Sequence, residues 1–382
     1  MQVVVQRAAL LKPLQMINGV VERRQTLPIL SNVLLSIKDQ KLCLTGTDLE
    51  IEMIGTASLN ELIEAGSTTV SARKLLDICR ALPDDAELKL TIEKEQLILR
   101  SGKSRFLLAT LPAQDFPSVE EGPFTAQFTI SQAKLKKLLS KTSFAMGQQD
   151  VRHYLNGTLF DVNQGVIKCV ATDGHRLAYS SIEEATSLKG IQAKVILPRK
   201  SVLELVRLLD NNEGDITICL GDNHFRVISS DFIFTSKLIN AQYPDYDRLI
   251  PRNVSNVAVA DRDVLKQALS RASILSNEKF RGVRLLLDID SLRIMANNPE
   301  QEEAEELVHL TYQGSGVEIG FNVAYLLDVV STIASSNIRW SFNDPNGGVL
   351  IESHFETDEE ASIDAASLDT VSSLYVVMPM RL

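Results

Sequence analysis

SNVLLSI at residues 31–37, NGTLFDV at 156–162 and GVRLLLDI at 282–289 share one strand-like pattern, and their matching positions Asn32, Gly157 and Gly282 stand 125 residues apart. A second landmark keeps the same step: LCLTG, IKCVA and LRIMA run into Thr47-Asp48, Thr172-Asp173 and Asn297-Asn298. Two landmarks in register mark an internal repeat of three copies, which constrains the fold more than any single motif. Before each landmark strand lies a helix-spaced apolar set: Leu10, Leu11 and Leu14, then Leu135, Leu138 and Leu139, then Leu265, Ala268 and Leu269. A second helix follows in each copy, over 71–82, 198–209 and 321–333, with Asp77, Glu204 and Asp328 in corresponding places.

After each second helix come the alternating runs ELKLTIEKEQLILRS, DITICLGDNHFRVIS and NIRWSFNDPNGGVLIES, broken by the Gly, Asn and Asp that hairpins require. Copies one and two also share a closing stretch, FLLATLPAQDFP and FTSKLINAQYPDY. The expected fold class is α+β, three repeated modules each with two helices packed on antiparallel sheet. Pro, Gly and charged residues gather in FPSVEEGPFT and YPDYDRLIPRNVSN, which sets the expected modules at 1–120, 121–252 and 253–382.

Composition agrees with several domains. At 382 residues the chain exceeds the ~250–300 at which single cores stop growing. Its 39 Lys and Arg against 49 Asp and Glu leave a net charge of −10. That balance disfavours a conventional non-specific DNA-binding protein holding phosphate by a uniform positive potential. Cations nevertheless concentrate on helices: Lys12, Arg23, Arg24, Arg73, Lys74 and Arg80, then Lys134, Lys136, Lys137, Lys141, Arg199, Lys200 and Arg207, then Arg262, Lys266 and Arg271. Helix cations often mark nothing more than a solvated surface, but recurrence across copies favours one positive face on an acidic molecule. No recognition-helix signature or aromatic stacking platform accompanies them, so backbone contact without base readout is expected.

Chemistry is poorly supported. TDGHRLAYS at 172–180 offers Asp173, His175 and Arg176 as acid, base and anion clamp, but no Gly-x-Ser-x-Gly elbow completes a hydrolase, and Asp-Gly is also a turn signal. Phosphate-loop and dinucleotide fingerprints are absent, and the EQEEAEE run lacks the spacing of a calcium loop. No catalytic residue, metal or cofactor is expected. Cys43, Cys79, Cys169 and Cys219 stand far apart in apolar segments, the pattern of buried reduced thiols in a cytoplasmic protein. Apolar runs are too short to span a bilayer, and the N-terminus lacks the pattern of a secretory signal.

TLPILSNVLL, LTGTDLE, RSGKSRF, DVRHYLNG, ATDGHRLA, FIFTSKL, ILSNEKFRGVRL, NNPEQEEAEE, EIGFNVAYLLDV and YVVMPMRL together resemble the β sliding clamps of bacterial DNA polymerase III along the whole chain. The resemblance implies a non-catalytic processivity factor: a head-to-tail homodimer ring around duplex DNA, helices lining the hole and sheets outside. It implies partners that bind through linear peptide motifs, namely the polymerase α subunit, the clamp loader, other polymerases and repair proteins, with no membrane contact. Duplex contact falls to Arg24, Arg73, Gln149, Tyr154 and Lys200. The partner-peptide pocket falls to Leu155, Thr172, Gly174, His175, Arg176, Leu177, Pro244, Arg248, Leu249, Val377, Met378, Pro379, Met380 and Arg381, where Leu, Val, Met and Pro make an adaptable apolar floor and His175 and Arg176 orient polar groups of the peptide. At the subunit boundary, Phe106, Ile274 and Leu275 supply apolar contact, while Lys74, Lys103 and Arg105 oppose Glu302, Glu303, Glu305 and Glu306. Two features depart from the family: His153 beside Tyr154 stands where an aromatic is common, and HFETDEEASIDAASLDTVSS at 354–373 is longer and more acidic than the usual connection, which reads as a mobile outer loop.

Overall fold

The computed structural model describes residues 1–21, 27–119, 122–184, 188–211, 214–252, 254–355 and 371–381. Arg23, Arg24 and most of the acidic 354–373 stretch lie outside them. The first copy contains β1 (Gln2–Gln6), α1 (Arg7–Ile17), β2 (Asn32–Lys38), β3 (Lys41–Thr47), β4 (Ile51–Ser58), β5 (Glu61–Glu64), β6 (Ser67–Ser71), α2 (Ala72–Ala81), β7 (Glu87–Glu93), β8 (Gln96–Ser101) and β9 (Ser104–Leu111). The second contains β10 (Phe124–Ser131), α3 (Gln132–Ser140), β11 (Gly157–Asn163), β12 (Val166–Thr172), β13 (Arg176–Glu183), β14 (Ala193–Pro198), α4 (Arg199–Leu208), β15 (Asp215–Gly221), β16 (His224–Ile228) and β17 (Phe232–Lys237). The third contains β18 (Asn256–Asp261), α5 (Arg262–Ser273), β19 (Gly282–Asp288), β20 (Ser291–Asn297), β21 (Glu303–His309), β22 (Thr311–Tyr312), β23 (Val317–Asn322), α6 (Val323–Thr332), β24 (Asn337–Phe342), β25 (Val349–His354) and β26 (Ser372–Val377). The landmark strands β2, β11 and β19 begin at 32, 157 and 282, and β3, β12 and β20 at 41, 166 and 291, so the 125-residue period is structural.

Two compact units form, one from Met1–Ala133 with Leu203–Leu238 and one from Lys134–Val202 with Ile239–Leu382. In the first, a single 13-stranded sheet runs β10-β15-β16-β17-β4-β3-β2-β6-β9-β8-β7-β1-β5. It crosses a repeat boundary where β17 pairs antiparallel with β4, Phe234 opposite Met53. In the second unit a nine-stranded sheet runs β14-β11-β12-β13-β26-β25-β24-β18-β22, crossing the other boundary where β26 pairs with β13, Tyr375 opposite Ala178. A four-stranded sheet, β21-β20-β19-β23, completes it.

Helices pack on these sheets by their apolar stripes. On α1, Leu10, Leu14 and Ile17 are buried, and on α2 Leu75, Leu76 and Cys79. Close approach of α1 to β3 requires the glycine at 46, because a Cβ there would lie 2.4 Å from Ile17 Cγ2. Ser71 and Asp261 cap α2 and α5 by accepting the backbone N–H groups of Lys74 and Val264. Cys79, Cys169 and Cys219 are buried as expected, whereas Cys43 is half-exposed because its β3 position faces away from the core. Among the described residues no helix is long and apolar enough to cross a membrane, and no cluster of His, Cys, Asp or Glu could hold a metal ion.

The Thr-Asp landmark builds one turn twice. Thr47 Oγ1 donates to the Ile51 carbonyl at 2.8 Å and accepts from Leu49 N, while Asp48 Oδ1 accepts from Glu50 N and Ile51 N. Thr172 Oγ1 donates to the Arg176 carbonyl at 2.7 Å and accepts from Gly174 N, while Asp173 Oδ1 accepts from His175 N and Arg176 N. The third residue is left-handed in both, φ 78° at Leu49 and 91° at Gly174. A side chain at such a φ carries strain that glycine does not. Gly174→Ala is therefore expected to cost about 1–2 kcal/mol in urea unfolding, whereas Leu49→Gly, which trades half-exposed packing for relief of strain, leaves stability unchanged or higher.

Candidate functional site: the junction turn, the helix cations and two open sheet edges

The 172–177 turn lies at the seam where β13 meets β26, and its hydrogen bonds engage Asp173 and Arg176. Asp173 gives Oδ1 to the turn and Oδ2 to Arg176 Nε at 3.1 Å. Arg176 has a side chain only 10% exposed. Its Nη1 reaches Asp328 Oδ2 on α6 at 2.5 Å, and its Nη2 donates to the Phe144 carbonyl at 2.7 Å. The guanidinium lies 4.4 Å from the Tyr325 ring centroid and 5.2 Å from that of Phe144. The sequence reading has Arg176 orienting peptide polar groups; in the structure Nε, Nη1 and Nη2 each make a bond within the chain, which braces the turn against α6 and the Phe144 carbonyl. His175 is exposed and its ring stacks at 6.2 Å and 20° on Tyr325.

Beneath the turn, Leu159, Val170, Leu177, Ile196, Tyr243, Tyr246, Leu350 and Val376 form one core cluster with Tyr154 and Tyr179 against it. Of the residues expected from sequence to line a peptide pocket, Leu155, Thr172, Leu177 and Val377 are buried. Gly174, His175, Arg248, Leu249, Met378 and Arg381 are exposed, and Pro244, Pro379 and Met380 half-buried. The segment after β26 is tied down, Met378 N to the His175 carbonyl and Met380 N to the Gly320 carbonyl, each at 2.8 Å. Arg152 escaped the sequence reading. It pairs with Asp150 at 2.9 Å, donates to the Asp173 carbonyl at 3.3 Å, and would lie 3.1 Å from a Cβ at Gly174. Its hydrogen bonds hold the Asp150 carboxyl down at about 2. A neighbouring Asp before a turn was the available signal.

Among the expected DNA contacts, Arg73 is exposed on α2 and pairs with Asp77 at 3.6 Å. With Asn18, Ser31, Ser71 and Arg80 it lines a cavity of about 290 Å³. Gln149 is exposed with φ 55°, in a loop braced by Asn156, which accepts from Asp150 N and donates to the Asp150 carbonyl. Tyr154 is half-buried beside His153, ring centroids 6.2 Å apart. Lys200 lies in the first turn of α4, and Arg24 is outside the described residues. The helix cations are more heavily paired than the sequence suggests. Lys12 bonds Asp231, Lys134 bonds Glu184, Arg207 bonds Glu204, and Arg271 bonds Glu306. Lys74, Arg80, Lys136 and Lys266 keep no carboxylate partner among the described residues.

Among the strand edges left open, two carry the residues expected at the subunit boundary. β9 pairs with β8 along its length but meets β6 only at Thr110 and Leu111, so the far side of 104–109 has no partner strand among the described residues. It presents exposed Arg105, half-buried Phe106 and exposed Leu107, with Lys103 in the preceding turn. β21 is the edge of the four-stranded sheet and presents Glu303, Glu305 and Leu307, the last 61% exposed. Beside it Ile274 is 76% exposed and Leu275 half-buried. Not all the acids there are free. Arg271 grips Glu306 bidentately at 2.7 Å and holds its carboxyl below the usual range, Glu302 accepts from Asn298, and Glu305 lies 3.3 Å from Arg293. Leu107 and Leu307 were missed in the sequence, where alternation marks them as apolar but not as uncovered.

Three family models match consecutive stretches: the N-terminal, central and C-terminal domains of the DNA polymerase III beta subunit, at residues 1–120, 129–245 and 247–365. The beta sliding clamp of Pseudomonas aeruginosa is 51% identical and that of Escherichia coli K12 49%, each over 382 residues and the full length of both chains. The crystal structure of the Pseudomonas aeruginosa clamp bound to griselimycin matches with a TM-score of 0.92 at 51% identity, and a Caulobacter crescentus clamp with 0.90 at 35%, in both cases over 100% of each chain. With three repeated clamp domains of helix and antiparallel sheet, the chain belongs to the DNA polymerase III beta subunit family, the sliding clamps of DNA replication, which confer processivity and are not enzymes.

Proposed function

We propose that two copies of this chain close head to tail into a ring around duplex DNA, and that the β13–β26 seam receives linear peptides of the polymerase, the clamp loader and repair proteins. The observation that carries the ring is the pair of open edges. β9 occupies in the first copy the place of β17 and β26, the strands that join one copy to the one before it. β21 occupies in the third the place of β4 and β13, the strands that receive them. Registers extend the comparison. Met53, Ala178 and Ala304 lie opposite Gly46, Ala171 and Ala296, which are 125 residues apart. The buried aromatics Phe234 and Tyr375 face Met53 and Ala178, and hairpin register makes Phe106 their counterpart. Repeating the same joint between chains puts Phe106 opposite Ala304 of the partner subunit and Arg105 opposite Glu305 of the partner subunit. A heterologous contact of this kind either propagates or closes, and closure removes the edges.

Within such a ring, cations such as Arg73, Lys200 and Arg24, with Gln149 and Tyr154, meet phosphate without reading bases, so the ring slides. A partner held on a ring that cannot leave the duplex rebinds intramolecularly, which is the source of processivity. Subunits loaded on nicked circular DNA are expected to remain through a high-salt wash and to leave when the circle is linearised. Retention on the linear form would sink the topological reading. A conventional phosphate-binding protein would instead bind linear and circular DNA alike and lose both with salt.

The joint and the pocket have their own tests. Arg105→Glu and Glu305→Arg are each expected to weaken dimerisation about tenfold, since like charges directly opposite across strands repel. Mixing the two variants restores rings at both boundaries, read by sedimentation; failure to restore would discard this register. Arg176→Ala is expected to lower stability by about 3 kcal/mol and to abolish binding of a polymerase-derived linear peptide. His175→Ala is expected to weaken the same peptide with no change in melting temperature, and equal melting temperatures for both variants would contradict the assigned roles.

A further inference from the structure

The seam between the first and second copies repeats the scaffold of the peptide pocket. Thr47-Asp48-Leu49 forms the turn that Thr172-Asp173-Gly174 forms, and Lys237 N donates to the Glu50 carbonyl at 2.8 Å, as Met378 N does to the His175 carbonyl. Pro117-Ser118-Val119 stands in the closing stretch where Pro244-Asp245-Tyr246 stands, and Val119 N is held by Glu52 Oε2 at 3.2 Å. Together these elements enclose a cavity of about 320 Å³ lined by Thr47, Leu49, Ser118, Val119, His224 and Lys237. Its chemistry differs from that of its counterpart. The glycine of the turn is replaced by Leu49, an apolar ledge 38% exposed, and the methionine after the joining strand by Lys237. Lys237 Nζ lies 3.8 Å from Glu50 Oε1, a loose pairing between two exposed groups, and so retains donors for another carboxylate.

We propose that this cavity is a second docking pocket, taking a short linear peptide of a protein partner in which an apolar side chain stands beside a carboxylate. The apolar side chain rests on Leu49 and Val119, and the carboxylate meets the Lys237 ammonium with the His224 imidazole beside it. The inference rests on the reading of the β13–β26 seam as a peptide pocket, because the two share one backbone scaffold. Two pockets of different charge on one chain let a ring hold two partners without competition, or one partner at two points, where the second contact gains from effective concentration.

The test uses the full-length protein with ¹³C-labelled leucine and valine methyls and acetyl-Leu-Leu-Asp-amide as probe. Saturable shifts are expected at Leu49 and Val119, weakened at least tenfold by Lys237→Glu and by the Asn counterpart of the probe. The methyls of Leu155, Leu177 and Val377 report the other seam separately in the same spectra, so failure there leaves this pocket standing. No saturable shift at Leu49 and Val119, or shifts indifferent to both changes, would overturn the proposal. Equal shifts with free aspartate would also overturn it, marking a small-carboxylate site. Because Lys237 and Glu50 are exposed, Lys237→Glu leaves the fold intact, and Ser118→Trp, which fills the cavity, is expected to abolish the Leu49 shifts independently.

Discussion

A β-sheet edge exposes backbone donors and acceptors that must find partners, and the architecture of this chain follows from how those edges are satisfied. β17 closes the edge of β4, and β26 closes the edge of β13, so consecutive copies share continuous sheets instead of merely touching. The same solution leaves one side of β9, over 104–109, and the outer side of β21 without a partner strand among the described residues. A chain made of repeats joined in one direction carries its unfinished joint at both ends.

The two seams share one backbone scaffold. Each has a turn closed by Thr and Asp, with its third residue left-handed, and the chain segment after the joining strand is laid against it by a backbone hydrogen bond. Rigid backbone with variable side chains allows one scaffold to serve different ligands. In the second unit, Arg176 adds a brace, tying the turn to α6 through Asp328 and to the segment after α3 through the Phe144 carbonyl. A cation held between two rings and paired with two carboxylates is fixed in place within the chain.

Electrostatics are local. A chain of net charge −10 keeps many of its helix cations in ion pairs, among them Lys12 with Asp231 and Arg271 with Glu306. Others, such as Arg80 and Lys266, keep no carboxylate partner among the described residues. Exposed pairs of this kind contribute little to stability, and their value lies in fixing where charge points.

Local and periodic features were legible without coordinates. The three copies, the helices and the landmark strands depend on apolar spacing and turn residues within a dozen positions; the landmark strands appear where the 125-residue step puts them, and the helices within about five residues of it. The Asp-Gly at 173–174 reads correctly as a turn because its hydrogen bonds reach only three residues. Contacts between distant positions were decided by tertiary structure alone: Arg176 finds Asp328 across 152 residues, and Arg271 claims Glu306 across 35. Leu107 and Leu307 look like any alternating strand residues until the sheet order shows that nothing covers them. Sequence pattern encodes which face of a strand is apolar, but whether that strand ends at an edge depends on which partner the rest of the chain brings to it.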